Sequence, residues 1–211
     1  MSYAFGATSL SFRPALDSAL EESLIERCRR RDLEAFRRIV SAYQTRVHGF
    51  VRRIVTDQDD AQDITQEVFI RAYQAMDRFD GRSSLRTWLF RIAHNLCIDS
   101  VRKNARNVVE MTLDAVGSED ETFEVPDERW NPESIVMTEQ IQECVERAIS
   151  DMSEKLRTVL LLHDREQFEY EAIAQMVSIP VGTVKSRLFL ARSFIQDRVR
   201  EYLGEGGART K

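Results

Sequence analysis

Apolar residues recur at three- and four-residue steps through most of this chain, the spacing that lines one face of an α-helix. Leu24, Ile25, Cys28, Leu33, Phe36, Ile39, Val40 and Tyr43 open the pattern near Glu21, and Val47, Phe50, Val51, Ile54 and Val55 extend it. Asp32 and Asp57 stand where helices start or turn, because a short carboxylate can accept from the first free backbone N–H groups of a helix. A third segment, residues 59–79, sets Ile64, Val68, Ala72 and Ala75 on one face. Asp59, Asp60 and Asp63 occupy its first turns, where the helix dipole favours negative charge. A fourth segment, residues 84–103, has Leu85, Leu89, Ile92, Leu96 and Val101 as its core line, and Trp88 is assigned to the core because it shares that stripe. Together the four segments predict one helical unit over residues 21–106.

Periodicity then lapses. Residues 107–133 contain Gly117, Pro126 and Pro132 and carry nine acids against the single base Arg129, a composition that predicts a solvated linker. Helical pattern resumes with Ile135, Val136, Ile141, Val145, Ala148, Ile149 and Met152 and continues to Leu203, giving a second unit over residues 134–203. Residues 1–20, interrupted by Gly6 and Pro14, and the glycine-rich residues 204–211 are expected to be a flexible extension and a flexible tail. The expected fold class is all-α, with two small helical domains joined by an acidic linker. Only 8 glycines and 4 prolines in 211 residues agree with that class.

Composition excludes several functions. No stretch approaches the roughly 18 uninterrupted apolar residues of a membrane span, and the N-terminus lacks the basic-then-apolar layout of a signal peptide. A cytoplasmic protein without membrane insertion is therefore expected. Cys28, Cys97 and Cys144 are widely spaced, form no CxxC and have only His48, His94 and His163 as companions, so free thiols are expected and no metal or cofactor. Net charge is −5, which argues against an indiscriminate nucleic-acid coat, but the distribution changes that picture. Residues 81–107 hold six bases against Asp99, and residues 180–200 hold five against Asp197. The acidic spacer separates two basic surfaces.

The most specific local motif is YEAIAQMVSIPVGTVKSRLFLARSFI, residues 170–195. Ile173, Ala174 and Val177 line one side of a first helix; Pro180 can start a second, Gly182 is expected to let backbone pack closely, and Val184, Leu188, Ala191 and Ile195 face inward. That is a helix-turn-helix layout. Its outward residues Thr183, Lys185, Ser186, Arg187, Phe189 and Arg192 have the chemistry to bind phosphates, base edges or a thymine methyl in a major groove. A helical hairpin whose cations only solvate a surface is the simpler alternative.

Three stretches now stand in order: DAQDITQEVFIRAYQ (60–74), FDGRSSLRTWLFRIAHNLCIDSVRK (79–103) and SIPVGTVKSRLFLAR (178–192). With the apolar framework around them, the chain resembles the extracytoplasmic-function subgroup of the sigma-70 family of RNA polymerase sigma factors over about residues 21–203. The resemblance implies that the first unit is sigma region 2 and the second is region 4, and that the function is promoter-specific transcription initiation rather than catalysis. It implies core RNA polymerase, promoter DNA and an anti-sigma factor as partners. Asp60, Asp63, Gln66 and Glu67 would face the polymerase clamp helices. Asp80, Arg82, Ser83, Ser84, Arg86 and Asn95 would meet the opened minus-ten element, with Arg102 and Lys103 on duplex phosphates upstream. Thr183, Lys185, Ser186, Arg187, Phe189 and Arg192 would read the minus-thirty-five element. The chain departs from the family at Leu190, where many members carry a base. Two other readings remain: an independent helix-turn-helix regulator binding operators as a dimer, and a helical enzyme using Asp59 and Asp63 as metal ligands.

Overall fold

The computed structural model describes residues 16–55, 57–109 and 139–207. The linker expected at 107–133 falls outside them apart from its first three residues, which continue a helix, and so do most of the extension and the end of the tail. The described residues form two compact units, one over 16–109 and one over 139–207.

In the first unit, α1 (Ser18–Arg29), α2 (Leu33–Ile54), α3 (Gln58–Gln74) and α4 (Leu85–Val109) form a bundle in which α2 packs on the other three and α3 packs on α4. Helix α1 starts within the stretch expected to be extension, because Asp17 caps it by accepting from the Ala19 amide. The two aspartates read as helix starts do that work. Asp32 accepts from the amides of Glu34 and Ala35, and Asp57 from those of Asp59 and Asp60. The Ala35 amide and the Arg27 guanidinium, 2.8 Å away, hold the Asp32 carboxyl below the usual carboxylate range.

The core takes Leu24, Ile39, Val47, Val51, Val68, Leu85 and Leu89, all at or near zero exposure. Helix α4 is rolled from the expected line. Its buried residues include Phe90, Ala93, Leu96 and Cys97, whereas Trp88, Ile92 and Val101 are only half-buried. The Phe90 ring, wholly enclosed, meets the edge of Phe50 at 5.5 Å. Trp88 instead leans on Phe79 at 5.1 Å. The helix has neighbours on two sides, α2 and α3, so a wider arc is buried than one stripe predicts. Helix α3 is similarly shifted: Ala61, Val68, Phe69 and Ala72 are buried, while Ile64 and Ala75 are half-buried.

The second unit contains α5 (Glu139–Asp151), α6 (Glu154–Leu160), α7 (Tyr170–Val177) and α8 (Val181–Gly207). Helix α8 runs past the expected end at Leu203. Helix α6 widens at its end into a π-turn, Leu161–Arg165, where the Glu166 amide reaches back to the Leu161 carbonyl at 3.0 Å. Gln167, at φ 53°, follows the end of that turn in the left-handed region. Among the helices, α8 packs against α5, α6 and α7.

Burial has a measurable consequence for the thiols. Burial pushes the Cys28 thiol up to about 11, whereas Cys144 is partly exposed. Native protein treated with iodoacetamide at pH 8 is expected to be alkylated at Cys144 while Cys28 stays unmodified. Peptide mass mapping checks this, and modification of Cys28 at the faster rate would contradict the packing.

Candidate nucleic-acid and polymerase interfaces

The loop over residues 79–84 is held at both ends. Arg29 donates to the Phe79 carbonyl at 2.7 Å, and the buried Phe79 ring anchors the loop's start. Asp80 accepts from the Arg82 amide at 3.1 Å, closing a small turn across Gly81. Gly81 has φ 75°, a conformation that a side chain would strain. At the far end the Ser84 hydroxyl accepts from the Thr87 amide at 3.1 Å and lies 2.8 Å from the Thr87 hydroxyl. Ser84, expected to meet an extruded base, therefore acts as the cap of α4. Asp80 and Arg82 pair at 3.0 Å and are both exposed, with Ser83 half-buried between them and the cap.

At about 100° per residue, Trp88, Arg91, Asn95 and Arg102 fall on one face of α4, continuing outward from that loop. Asn95, Arg102 and Lys103 are exposed, while Trp88 and Arg91 are half-buried. The stretch thus carries a polar strip over an apolar base. Arg86 lies off this strip, half-buried beside the Tyr43 phenol. Burial and a 2.5 Å hydrogen bond to Glu21 push that phenol up, and the Arg86 charge opposes them.

On α3, Asp63 and Gln66 are exposed, and Glu67 pairs with Arg71 one turn later at 2.7 Å. Asp60 accepts from Asn104 at 3.4 Å, tying α3 to the end of α4. Ile70, 49% exposed, sits on the same side as Gln66 and Glu67. Sequence reasoning passed over it, although its position off the Val68 and Ala72 line was a signal of exposure.

The second unit forms the helix-turn-helix. Helix α7 ends on Ser178 in the left-handed conformation, φ 57° and ψ 46°, and the Ile179 amide bonds back to Ala174. Ser178 makes the turn, and the close backbone packing expected at Gly182 is not found. A Cβ on Gly182 would meet nothing within 4 Å. In α7 the buried residues are Ile173, Ala174 and Met176, with Val177 only half-buried. Val184, Leu188, Ala191 and Ile195 are the buried line of α8, as periodicity indicates.

The outward residues of α8 separate into groups. Lys185 is exposed with its ammonium over the Tyr170 ring at 5.7 Å. Ser186 donates to the Thr183 carbonyl at 3.1 Å, and both residues are half-buried, as is Arg187. Phe189 and Leu190 are 46% and 47% exposed. Arg192 is turned back: its guanidinium makes two bonds to Asp164 in the π-turn, at 2.5 and 3.2 Å. Arg192, expected to face the duplex, is held in this pair and stands about 70° around α8 from the buried line, less than the step of one residue. Asp164 was missed in the sequence because nothing there marks a π-turn.

Among the described residues, no three His, Cys, Asp or Glu side chains are grouped to hold a metal ion, and no helix is long and apolar enough to cross a membrane.

Two helical units, one with a braced loop and a polar strip and the other with a helix-turn-helix, define a nucleic-acid-binding protein of bipartite design. Residues 39–107 match Sigma-70 region 2, and residues 142–195 match Sigma-70, region 4. The ECF RNA polymerase sigma-E factor of Escherichia coli is 36% identical over 181 residues, 85% of this chain and 94% of that protein. The RNA polymerase sigma-H factor of Pseudomonas aeruginosa is 36% identical over 189 residues, 88% of this chain and 96% of that protein. In fold, the chain is similar to the sigma factor RpoE of Bartonella quintana, solved in complex with the anti-sigma factor NepR. That likeness has a TM-score of 0.60 at 24% identity and covers 78% of this chain and 96% of the other. The chain belongs to the extracytoplasmic-function sigma factors of the sigma-70 family. Both relatives are named as RNA polymerase sigma factors, names that point to transcription initiation rather than catalysis.

Proposed function

We propose that this sigma factor works in the cytoplasm, has no catalysis of its own, and gives core RNA polymerase its promoter preference through two separate DNA surfaces. The observation that carries the reading is the presence in one chain of both family regions, each with its exposed polar face. Asp63, Gln66 and Glu67, with Asp60 at the edge, form the polymerase-facing side of α3. Asp80, Arg82 and Ser83 offer a preformed loop to an extruded minus-ten base, with Asn95 beyond it on the strip and Ser84 holding the loop. Unstacking a base costs a few kcal/mol, and a loop already braced at both ends spends little of the binding energy on its own ordering. Arg86 supports this surface from its base, and Arg102 and Lys103 meet the duplex upstream. Thr183, Lys185, Ser186, Arg187 and Phe189 serve minus-thirty-five recognition. An anti-sigma factor, the kind of partner named for the Bartonella quintana protein, covers one or both surfaces when the factor is inactive.

Run-off transcription with core polymerase and a genomic library tests the reading and is expected to yield discrete promoter-dependent transcripts. A stable dimer that ignores core polymerase would instead establish the independent-regulator alternative. Replacing Gln66 and Glu67 together with alanine is expected to weaken core binding at least about tenfold while leaving thermal stability nearly unchanged, since both side chains lie on the outer side of α3. Equal affinity for core would remove these residues from the interface.

A further inference from the structure

The outer face of the recognition helix is neutral at its centre, with two serines flanked by apolar side chains. At about 100° per residue, Ser186 and Ser193 lie opposite the buried line of Val184, Leu188, Ala191 and Ile195, with Phe189 and Leu190 on either side of them. The cations stand away from this centre. Lys185 rests over Tyr170, Arg187 lies on the other flank, and Arg192 is bound to Asp164. Two large apolar side chains, each almost half exposed, therefore flank the serines on the outer face of α8.

Isolated exposed apolar residues need no explanation. This pair lies in the third turn of the second helix of a helix-turn-helix, within the part that enters a major groove. There the only apolar feature of a base-pair edge is the thymine 5-methyl group. A leucine can offer no hydrogen bond to guanine or adenine, and burying it against polar base edges would leave their donors and acceptors unsatisfied. Against thymine methyls it gains burial instead, while the flanking Lys185 and Arg187 are placed for the negatively charged groove walls.

We propose that Leu190 is a specificity-determining residue that, together with Phe189, selects thymine in the minus-thirty-five element by packing on its methyl group. The proposal rests on the minus-thirty-five role given to α8 above, and it goes further in naming the base and the atom recognised.

The test uses holoenzyme assembled from the full chain and core polymerase. Duplexes are selected from a library randomised across the minus-thirty-five region, and each selected thymine is then replaced singly by deoxyuridine, which removes only the methyl group. At one or two neighbouring thymines the replacement is expected to lower wild-type affinity about three- to tenfold, the size of one or two lost methyl contacts. Leu190→Ala is expected to lose the same factor on the thymine duplex and to become indifferent to deoxyuridine there. Leu190→Arg should shift the selected base away from thymine. Wild-type holoenzyme indifferent to every replacement, or Leu190→Ala retaining the wild-type sensitivity, overturns the assignment. A library with no enrichment in this region overturns the minus-thirty-five role itself and the proposal with it; enrichment with deoxyuridine indifference overturns only the thymine contact.

Discussion

Phe90→Ala is expected to destabilise the first unit by about 3 to 5 kcal/mol, the cost of emptying an aromatic site in a packed core. Its neighbour Trp88 is expected to behave differently when changed to alanine. Phe90 is completely enclosed and packs edge-on against Phe50 of α2. No rearrangement short of moving α2 refills the space. Trp88 is half-buried and its ring lies against Phe79 at the foot of the loop, so its removal costs stability of about 1 to 2 kcal/mol and loosens the loop. Thermal unfolding of the two variants separates them, since each kcal/mol shifts the midpoint of a domain this size by about 4 to 8 °C. Reactivity of unpaired minus-ten thymines toward permanganate then reports opening at a temperature where both variants are folded. Trp88→Ala should lose opening while keeping its fold. A Trp88→Ala variant as unstable as Phe90→Ala would return the indole to the core.

That contrast marks how far the sequence could be read. Helix positions, the caps Asp32 and Asp57 and the buried line of α8 followed from local rules, because each depends on residues within a few positions of one another. The roll of α4 did not. Trp88 and Phe90 sit two residues apart, on different sides of one helix, and which side is inside depends on where α2 and α3 approach it. Periodicity alone gave Trp88 to the core because Leu85, Leu89 and Ile92 lie nearby on the helical wheel.

The site residues divide along the same boundary. The loop over residues 79–84 was legible as a polar interruption between two apolar segments, immediately before α4. Its internal economy was not legible. The Ser84 hydroxyl is committed to the Thr87 amide and Asp80 to the Arg82 amide, so two groups counted as ligands first serve to shape the loop. In the turn before α8 Ser178 takes the left-handed conformation, while Gly182 in the first turn of α8, expected to allow close backbone packing, has open space around it. Serine tolerates that geometry at a helix end, where the bond from the Ile179 amide to Ala174 offsets the strain.

Arg192→Ala is expected to destabilise the second unit by about 2 kcal/mol and to weaken minus-thirty-five binding without changing its salt dependence. The Asp164 side chain is 7% exposed and receives two bonds from Arg192, whose own side chain is 36% exposed. Removing the guanidinium leaves a nearly buried carboxylate without its main counter-charge. The half-open arginine side of the pair keeps the cost below that of a fully enclosed pair. Because Asp164 belongs to the π-turn and Arg192 to α8, the pair also fixes the roll of the recognition helix relative to α6. Loss of that constraint lowers affinity for the specific duplex, while the number of phosphates neutralised stays the same. Lys185→Ala serves as the comparison: a lost phosphate contact there reduces the slope of log affinity against log salt by about one. The double variant Asp164→Leu with Arg192→Met removes both charges and is expected to recover most of the lost stability, because neither polar partner is then left buried alone. Thermal unfolding and a salt titration of duplex binding decide the matter. An Arg192→Ala protein of unchanged stability whose salt slope falls by about one would place the guanidinium on the DNA backbone instead.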